Sequence, residues 1–371
     1  MPKIYSNQRK NEDGSYSYDV EEVDQINYYL MNGPNIIVKP RTIPLSRAVP
    51  KIITGNRPAD GGNLILSEDE KDLFVKKYPQ DKKFIRQIMG GEEFINNKKR
   101  YCLWLVDATP DEIKKNKFIY ERVKKCKEDR LKGAPDRQKL SETPHLFRET
   151  FVPEKFIAIP KTSSERRKYI PIDFLDKNFV CLDSLLMIPD AEIWHFGILT
   201  SKVHMIWTKT VCGRLKSDIR YSAKIVYNNF VWVKMEFIDY AELIMAAEKI
   251  LKIRKKYLFS EELRVKSEEL RVKSEEFEKK SLLTPYSSLP TKCSLADLYD
   301  EVTMPKDLRD AHRAVDKIVM RMYHLDEDMT DEEIAIELLQ HYQFVTNYLE
   351  ENKLKQLTRQ NSDDEDFDEE F

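Results

Sequence analysis

Near Glu236 the chain changes its apolar period, and that switch limits what it can fold into more than any single motif does. From Val23 onward, apolar residues come in short runs broken by Pro and Gly: Asn32-Gly33-Pro34, Ile36-Ile37-Val38, then Pro40, Pro44, Pro50 and Pro58, with Asp60-Gly61-Gly62 as a turn. Such punctuation favours short strands and loops over long helices. After Glu236 the segment FIDYAELIMAAEKILKIRKKYL holds neither Gly nor Pro. It places Ile238, Ala241, Leu243 or Ile244, Met245, Ile250 and Leu251 along one side of a helix. The predicted fold class is therefore α+β. A mixed, β-rich domain over 25–235 precedes a small helical domain over 236–350, between a flexible polar lead-in at 1–24 and an acidic disordered tail at 351–371.

Within the first domain, Ser67 and Glu70 form a capping box that opens a helix from Glu68 to Lys77, stopped by Tyr78-Pro79. A longer helix is predicted within 109–142, with Thr109 as N-cap, Pro110 at the first position and Ile113, Ile119, Val123 and Cys126 in its stripe. Between 151 and 235 the segments FIAIP, YIPIDFL, FVCLDSLLMI, IWHFGILTS, HMIWTKTV and AKIVYNNFVWVKM are dense in β-branched and aromatic residues and are predicted as strands. In the second domain, Ser294 with Asp297 and Thr330 with Glu333 read as caps. A helix begins at Thr303-Met304-Pro305 and runs to Tyr323, with Leu308, Ala311, Val315, Ile318 or Val319, and Met322 in its stripe. EELRVKS at 261–267 repeats at 268–274 and, degraded, at 275–281, which is either an inserted solvated helix or linker, or a thin oligomerisation seam.

Charge narrows the function classes. The chain carries 62 Lys+Arg against 64 Asp+Glu, but residues 363–371 alone hold seven carboxylates, so the remainder has 62 bases against 57 acids. Five scattered Cys, with no CxxC among them, suit neither a disulfide framework nor a zinc knuckle and point to a reducing, cytoplasmic setting. No apolar run approaches the ~18 residues of a membrane span, and the first residues have no signal-peptide pattern. No membrane partner is expected. Only 10 of 371 residues are Gly, and no GxGxxG, GxxxxGK[ST] or GxSxG occurs. His195, His204 and Cys212 are spaced as no common zinc site is, and Cys102, between large apolar residues, reads as a buried small hydrophobe; neither a catalytic nor a metal residue is assigned.

The richest chemistry lies between Lys202 and Phe230. Six cations (Lys202, Lys209, Arg214, Lys216, Arg220, Lys224) and one carboxylate (Asp218) alternate with Trp207, Tyr221, Tyr227 and Phe230. Cations on turns between aromatic-bearing segments reach phosphates and base edges, the footprint of a nucleic-acid binder. A second basic knot, Ser163-Ser164-Glu165-Arg166-Arg167-Lys168-Tyr169, feeds YIPI. Both knots are equally readable as solvated strand ends paired with acids elsewhere.

Five strings then carry a resemblance: GNRPADGGNLILSEDE (55–70), KKFIRQIMGGEEFINNKKRYCLWLVD (82–107), SSERRKYIPIDFL (163–175), FGILTSKVHMIWTKTVCGRLKSDIRYSAKIVYNNF (196–230) and SLADLYDEVTMPKDLRDAHRAVD (294–316). From about Asn27 to Tyr348 the chain resembles the C-terminal part of MmeI-like, type IIL DNA methyltransferases and restriction-modification enzymes. The resemblance implies a target recognition domain and a helical C-terminal domain, with double-stranded DNA as partner. It also implies a separately encoded methyltransferase chain or domain, because no Asn-Pro dipeptide and no Gly-x-Gly occur here. S-adenosylmethionine is expected in that missing part and no cofactor in this chain. Within GRLKSDIRYS, Arg214, Arg220, Tyr221 and Ser222 match the family's fixed frame and are expected at the DNA backbone, together with Arg166, Arg167 and Lys168. Lys216 and Asp218 occupy the variable positions and are expected to read bases, the ammonium donating to guanine and the carboxylate accepting from cytosine N4. The two pairing with each other is the competing expectation. The implied function is sequence-specific DNA recognition for an adenine-specific (N6) methyltransferase; a remnant or non-enzymatic interaction protein of the same system is the alternative.

Overall fold

The structure, a computed structural model, describes residues 1–258 and 293–365; the repeat at 261–281 and residues 366–371 lie outside the described residues. Strands β1 (Lys3–Lys10) and β2 (Tyr16–Glu22) form an antiparallel ribbon where a flexible lead-in was expected. Its turn closes through Asn11, whose carbonyl accepts the Gly14 amide at 3.0 Å, with Gly14 at φ +84°. After β3 (Ile53–Thr54) and β4 (Ile65–Leu66) comes α1 (Glu68–Lys77), opened by the expected capping box. Then follow β5 (Ile85–Met89), α2 (Gly91–Asn96), β6 (Arg100–Leu103), α3 (Pro110–Lys115), α4 (Lys117–Leu131) and α5 (Pro135–Lys139). The single helix predicted across this stretch is split at Asn116, whose Oδ1 accepts the Phe118 and Ile119 amides at 3.0 and 3.2 Å and restarts the helix.

The second half brings β7 (Lys155–Pro160), β8 (Thr162–Ser163), β9 (Asp173–Asp176), β10 (Phe179–Cys181) and β11 (Leu185–Pro189). IWHFGILTS and HMIWTKTV, expected as strands, are helices α6 (Ile193–Leu199) and α7 (Lys202–Val211). Both are buried on most sides, so the β-branched and aromatic density that suggested a pleated surface reflects burial rather than period. Strands β12 (Gly213–Leu215) and β13 (Asp218–Arg220) close this region, and AKIVYNNFVWVKM forms a short 3-10 turn at Tyr227–Asn229 instead of a strand. The C-terminal region is helical: α8 (Phe237–Leu258), α9 (Leu295–Leu298), α10 (Lys306–Met322) and α11 (Asp331–Glu365). The last helix runs through residues expected to be a disordered tail.

Beyond the ribbon, the described residues form three small sheets, ordered β10-β5-β6-β4, β3-β11-β7-β9 and β12-β13-β8. Two cores hold them. The smaller one joins apolar side chains from Leu64 to Phe147 with Val180. Beside it, the fully buried Arg130 donates all five N–H groups to carbonyls, those of Pro58, Ala59, Leu140, Thr143 and Leu146, at 2.6–3.0 Å, which ties two loops to α4. The larger core does not respect the expected boundary at 235/236. Phe156 to Ile159 of β7 share it with Leu243, Ala247 and Ile250 of α8 and with Leu308, Ala311, Val315 and Val319 of α10. Gly197 permits the close approach of α6 to α8, since a Cβ there would lie 2.7 Å from Leu243 Cδ1. Arg254, also buried, crosses from α8 to donate to the Ile172 carbonyl at 2.7 Å and to pair with Asp173 at 2.5 Å. The helical region is thus one wall of the β-rich region's core. Among the described residues no helix is long and apolar enough to cross a membrane.

Candidate nucleic-acid interface

Ser201 caps α7, and the helix ends at Val211 where Cys212 turns extended. The chain then makes a tight hairpin with Gly213 opposite Arg220, Arg214 opposite Ile219 and Leu215 opposite Asp218, which leaves Lys216 and Ser217 as a two-residue loop. Lys216 adopts φ +56°, the left-handed conformation that such loops require. On its far side β13 pairs with β8, Ile219 opposite Ser163 and Arg220 opposite Thr162. The two basic knots, some fifty residues apart in the chain, therefore meet in one three-stranded sheet, a juxtaposition that no local pattern announced.

The pleat sorts the side chains. Ile219 points inward and is fully buried, while Asp218 and Arg220 take the opposite face. Lys216 stands exposed at the tip, and no ion pair joins it to Asp218 among the described residues. Arg214 folds back over its own loop, donating to the Ser217 and Lys209 carbonyls at 3.4 and 3.3 Å. Arg166 and Lys168 are exposed and Arg167 is half-buried. Burial pushes the Lys161 ammonium down, with Arg57 and Arg220 adding to the shift and Asp183 opposing it; Arg57 itself is paired with Glu149 at 2.6 Å.

Two expected backbone contacts are not on this surface as drawn. Tyr221 is 3% exposed and its hydroxyl meets His204 Nε2 at 2.9 Å, so it braces the hairpin from below. Ser222 is half-buried and its hydroxyl accepts the Ile225 amide at 3.4 Å, shaping the following turn. Burial holds His204 neutral, its pKa pushed down to about 3.

Other residues that matter here were not singled out from sequence. The Asn229 side-chain amide donates to the carbonyls of Lys39, Lys224 and Ile225 at 2.8–3.1 Å, and that of Asn228 to Arg41 at 2.9 Å, stapling the 39–41 segment beneath the sheet. Their signal was a pair of amides inside an otherwise apolar run. Asp316 is 7% exposed; its carboxylate accepts the Tyr169 hydroxyl and the Lys202 amide, both at 2.6 Å. His312, one turn earlier, stacks on Tyr169 with centroids 4.1 Å apart and meets the Tyr299 hydroxyl at 3.0 Å. Helix α10 thereby holds both the end of the basic 163–169 turn and the start of α7. Two polar residues on an apolar stripe were the legible sign.

Among the described residues, the Gly90-Gly91 turn between β5 and α2 joins a strand to a helix through a Gly pair, the kind of turn a methyl-donor site uses. The residues do not fit it. The Gly90 amide is taken by the Glu93 carboxylate at 2.9 Å and the Gly91 amide by Ser184 at 2.8 Å, which leaves neither amide for a ligand. Among the described residues no group of three or more His, Cys, Asp or Glu is arranged to hold a metal ion.

Comparison with known proteins gives the family. A family model described as the MmeI target recognition domain matches residues 32–234, and another, the MmeI C-terminal domain, matches residues 288–350. DNA methyltransferase A of Bacillus subtilis (strain 168) is 36% identical over 326 residues, covering 87% of this chain and 33% of the relative. The solved structure of the type IIL restriction-modification enzyme MmeI in complex with DNA matches with a TM-score of 0.76 at 34% identity, over 90% of this chain and 40% of that one. The chain thus spans well under half the length of either relative. It belongs to the MmeI family, carrying that family's target recognition domain followed by its C-terminal domain.

Proposed function

We propose that this chain is the sequence-specific DNA recognition module of an adenine-specific (N6) methyltransferase in a restriction-modification system, and that it works with a methyltransferase chain or domain that binds S-adenosylmethionine. The carrying observation is the β12–β13 hairpin: one face is sealed into the core through Ile219, while the tip and outer face present Lys216, Asp218 and Arg220. A two-stranded ribbon fits the major groove of B-DNA, where a lysine donates to guanine O6 and N7 and an aspartate accepts from cytosine N4. Lys216 and Asp218 read one G·C pair, while Arg214, Arg220, Arg166 and Lys168 hold phosphates. The adenine assignment follows from the family the sequence resembles.

The test is binding of the purified chain, alone and with its methyltransferase part, to a randomised duplex library at two salt concentrations. An enriched short motif is expected. Exchanging the two side chains, Lys216→Asp with Asp218→Lys, should swap or abolish the preference at one position by about ten- to a hundredfold. An unchanged motif would sink the assignment of the pair. Featureless binding with both components present would sink the recognition reading and favour a non-enzymatic interaction protein.

A further inference from the structure

Between the recognition sheet and α2 lies a cleft of about 430 Å³, lined by Thr162, Ser163, Ser164, Arg167, Ser184 and Asp218 on one side and by Gly91, Glu92, Ile95 and Asn96 on the other. Arg167 sits in it half-buried, whereas its neighbours Arg166 and Lys168 are in solvent. Its one side-chain hydrogen bond is long, from Nη1 to Ser163 Oγ at 3.4 Å, and no carboxylate pairs with it among the described residues. Burial pushes its guanidinium below the ordinary arginine value, with the carboxylates of Asp218 and Asp300 opposing the shift. The Arg167 backbone is held by an amide hydrogen bond to the Ser164 carbonyl at 3.2 Å, and the turn is anchored two residues later by Tyr169 on Asp316.

A half-buried guanidinium with one long side-chain hydrogen bond keeps its other N–H groups open to the cleft, where a bound acceptor could take them. The neighbours decide which acceptors. Asp218 and Glu92 line the same cleft and Asp300 lies close by, so a phosphate would enter beside carboxylates of like charge. A guanine edge offers O6 and N7 without a net charge and matches the planar fork of arginine.

We infer that Arg167 is a specificity-determining residue that reads a guanine from within this cleft, beside the base pair addressed by Lys216 and Asp218, and does not hold the DNA backbone. The inference rests on the recognition reading above and adds a residue and a base to it. Arg167 lies outside the β12–β13 hairpin, on the turn that follows β8. Specificity is therefore shared by two chain segments that meet only in the sheet.

The experiment repeats the library selection with the full chain and its methyltransferase part, comparing wild type with Arg167→Ala and Arg167→Lys at two salt concentrations. With Arg167→Ala, the preference for one guanine should fall by about ten- to a hundredfold while the other positions and the salt slope stay as they were. Arg167→Lys keeps the charge but lacks the bidentate fork, and should lose the same preference; it also serves if the alanine variant does not fold. Equal weakening at all positions, with a salt slope smaller by about one, would mean a phosphate contact and overturn the inference. An intact wild-type motif that neither variant alters would overturn it as well. A wild type that enriches no motif overturns the recognition reading first, so the two failures are distinguishable.

Discussion

Two antiparallel hairpins among the described residues have opposite fates. The β1–β2 ribbon has every residue of β2 exposed, including Tyr16, Tyr18 and Val20, and the side-chain contacts across it, among them the ion pairs of Lys3 with Glu22 and Arg9 with Asp19, lie on the surface. The β12–β13 hairpin is shorter, yet it gains a third strand from β8, buries Ile219 completely and rests on Tyr221, which is held by His204. Isolated two-stranded ribbons are marginal in water, and one anchored face is enough to change that. The second hairpin has its back in a core and only its tip and outer face free.

That contrast is open to direct attack, most severely at Ile219. Replacing it with Asp puts a carboxylate into the larger core and should destabilise the protein by more than about 4 kcal/mol, abolishing DNA binding. Val20→Asp at the exposed strand of the ribbon is the matched control. Chemical denaturation of both variants checks this, and similar losses would mean that the ribbon too is anchored.

Acid should loosen the recognition hairpin next. His204 and His312 are pushed down by burial to about 3, and His195 to about 4, from an ordinary 6.5. Each is neutral when folded and takes up a proton when the unfolded chain is below pH 6.5, so the folded state binds fewer protons. Stability is then fully present above about pH 6.5 and falls as the pH drops toward 3–4. The loss is about 1.4 kcal/mol per pH unit for each histidine at the steepest part. Asp316, raised by burial, opposes this only at the acid end, near and above the ordinary carboxylate value of 3.8. Thermal melts from pH 8 to 5 measure the slope. His204→Gln should flatten it, whereas a slope unchanged by that variant would remove His204 from the account.

The smallest effect belongs to the ribbon surface. Tyr18→Ser removes an edge-to-face contact with Tyr5, centroids 6.1 Å apart, on a solvated strand. It should change global stability by no more than about 0.5 kcal/mol. A larger drop in the denaturation midpoint would show that the two hairpins are alike after all.

Much of this was legible residue by residue. The capping pairs at Ser67, Ser294 and Thr330 and the N-cap at Thr109 appear as read, because a cap is set by residues a few positions apart whose hydrogen bonds are local. The elements misread were those where burial hides the period. In α6 and α7, apolar residues surround the axis, so composition suggested strands. In the lead-in, the alternation of Tyr16, Tyr18 and Val20 is short and stays in solvent, so the polar composition around it hid the strand. Lys216 at a hairpin tip was within reach of sequence, whereas the burial of Tyr221 was not, since it depends on His204 from another element.

By itself, the sequence determined the α+β class, the helical character of the C-terminal region, the two basic knots and the family to which they belong, because these rest on local spacing and on strings that can be matched directly. Only the tertiary structure decided that the knots share one sheet, that Arg167 sits in a cleft while Arg166 and Lys168 face solvent, and that α10 grips the recognition turn through Asp316 and His312. Those relations join residues from tens to well over a hundred positions apart. They arise from burying one shared apolar core, whose geometry no single segment encodes.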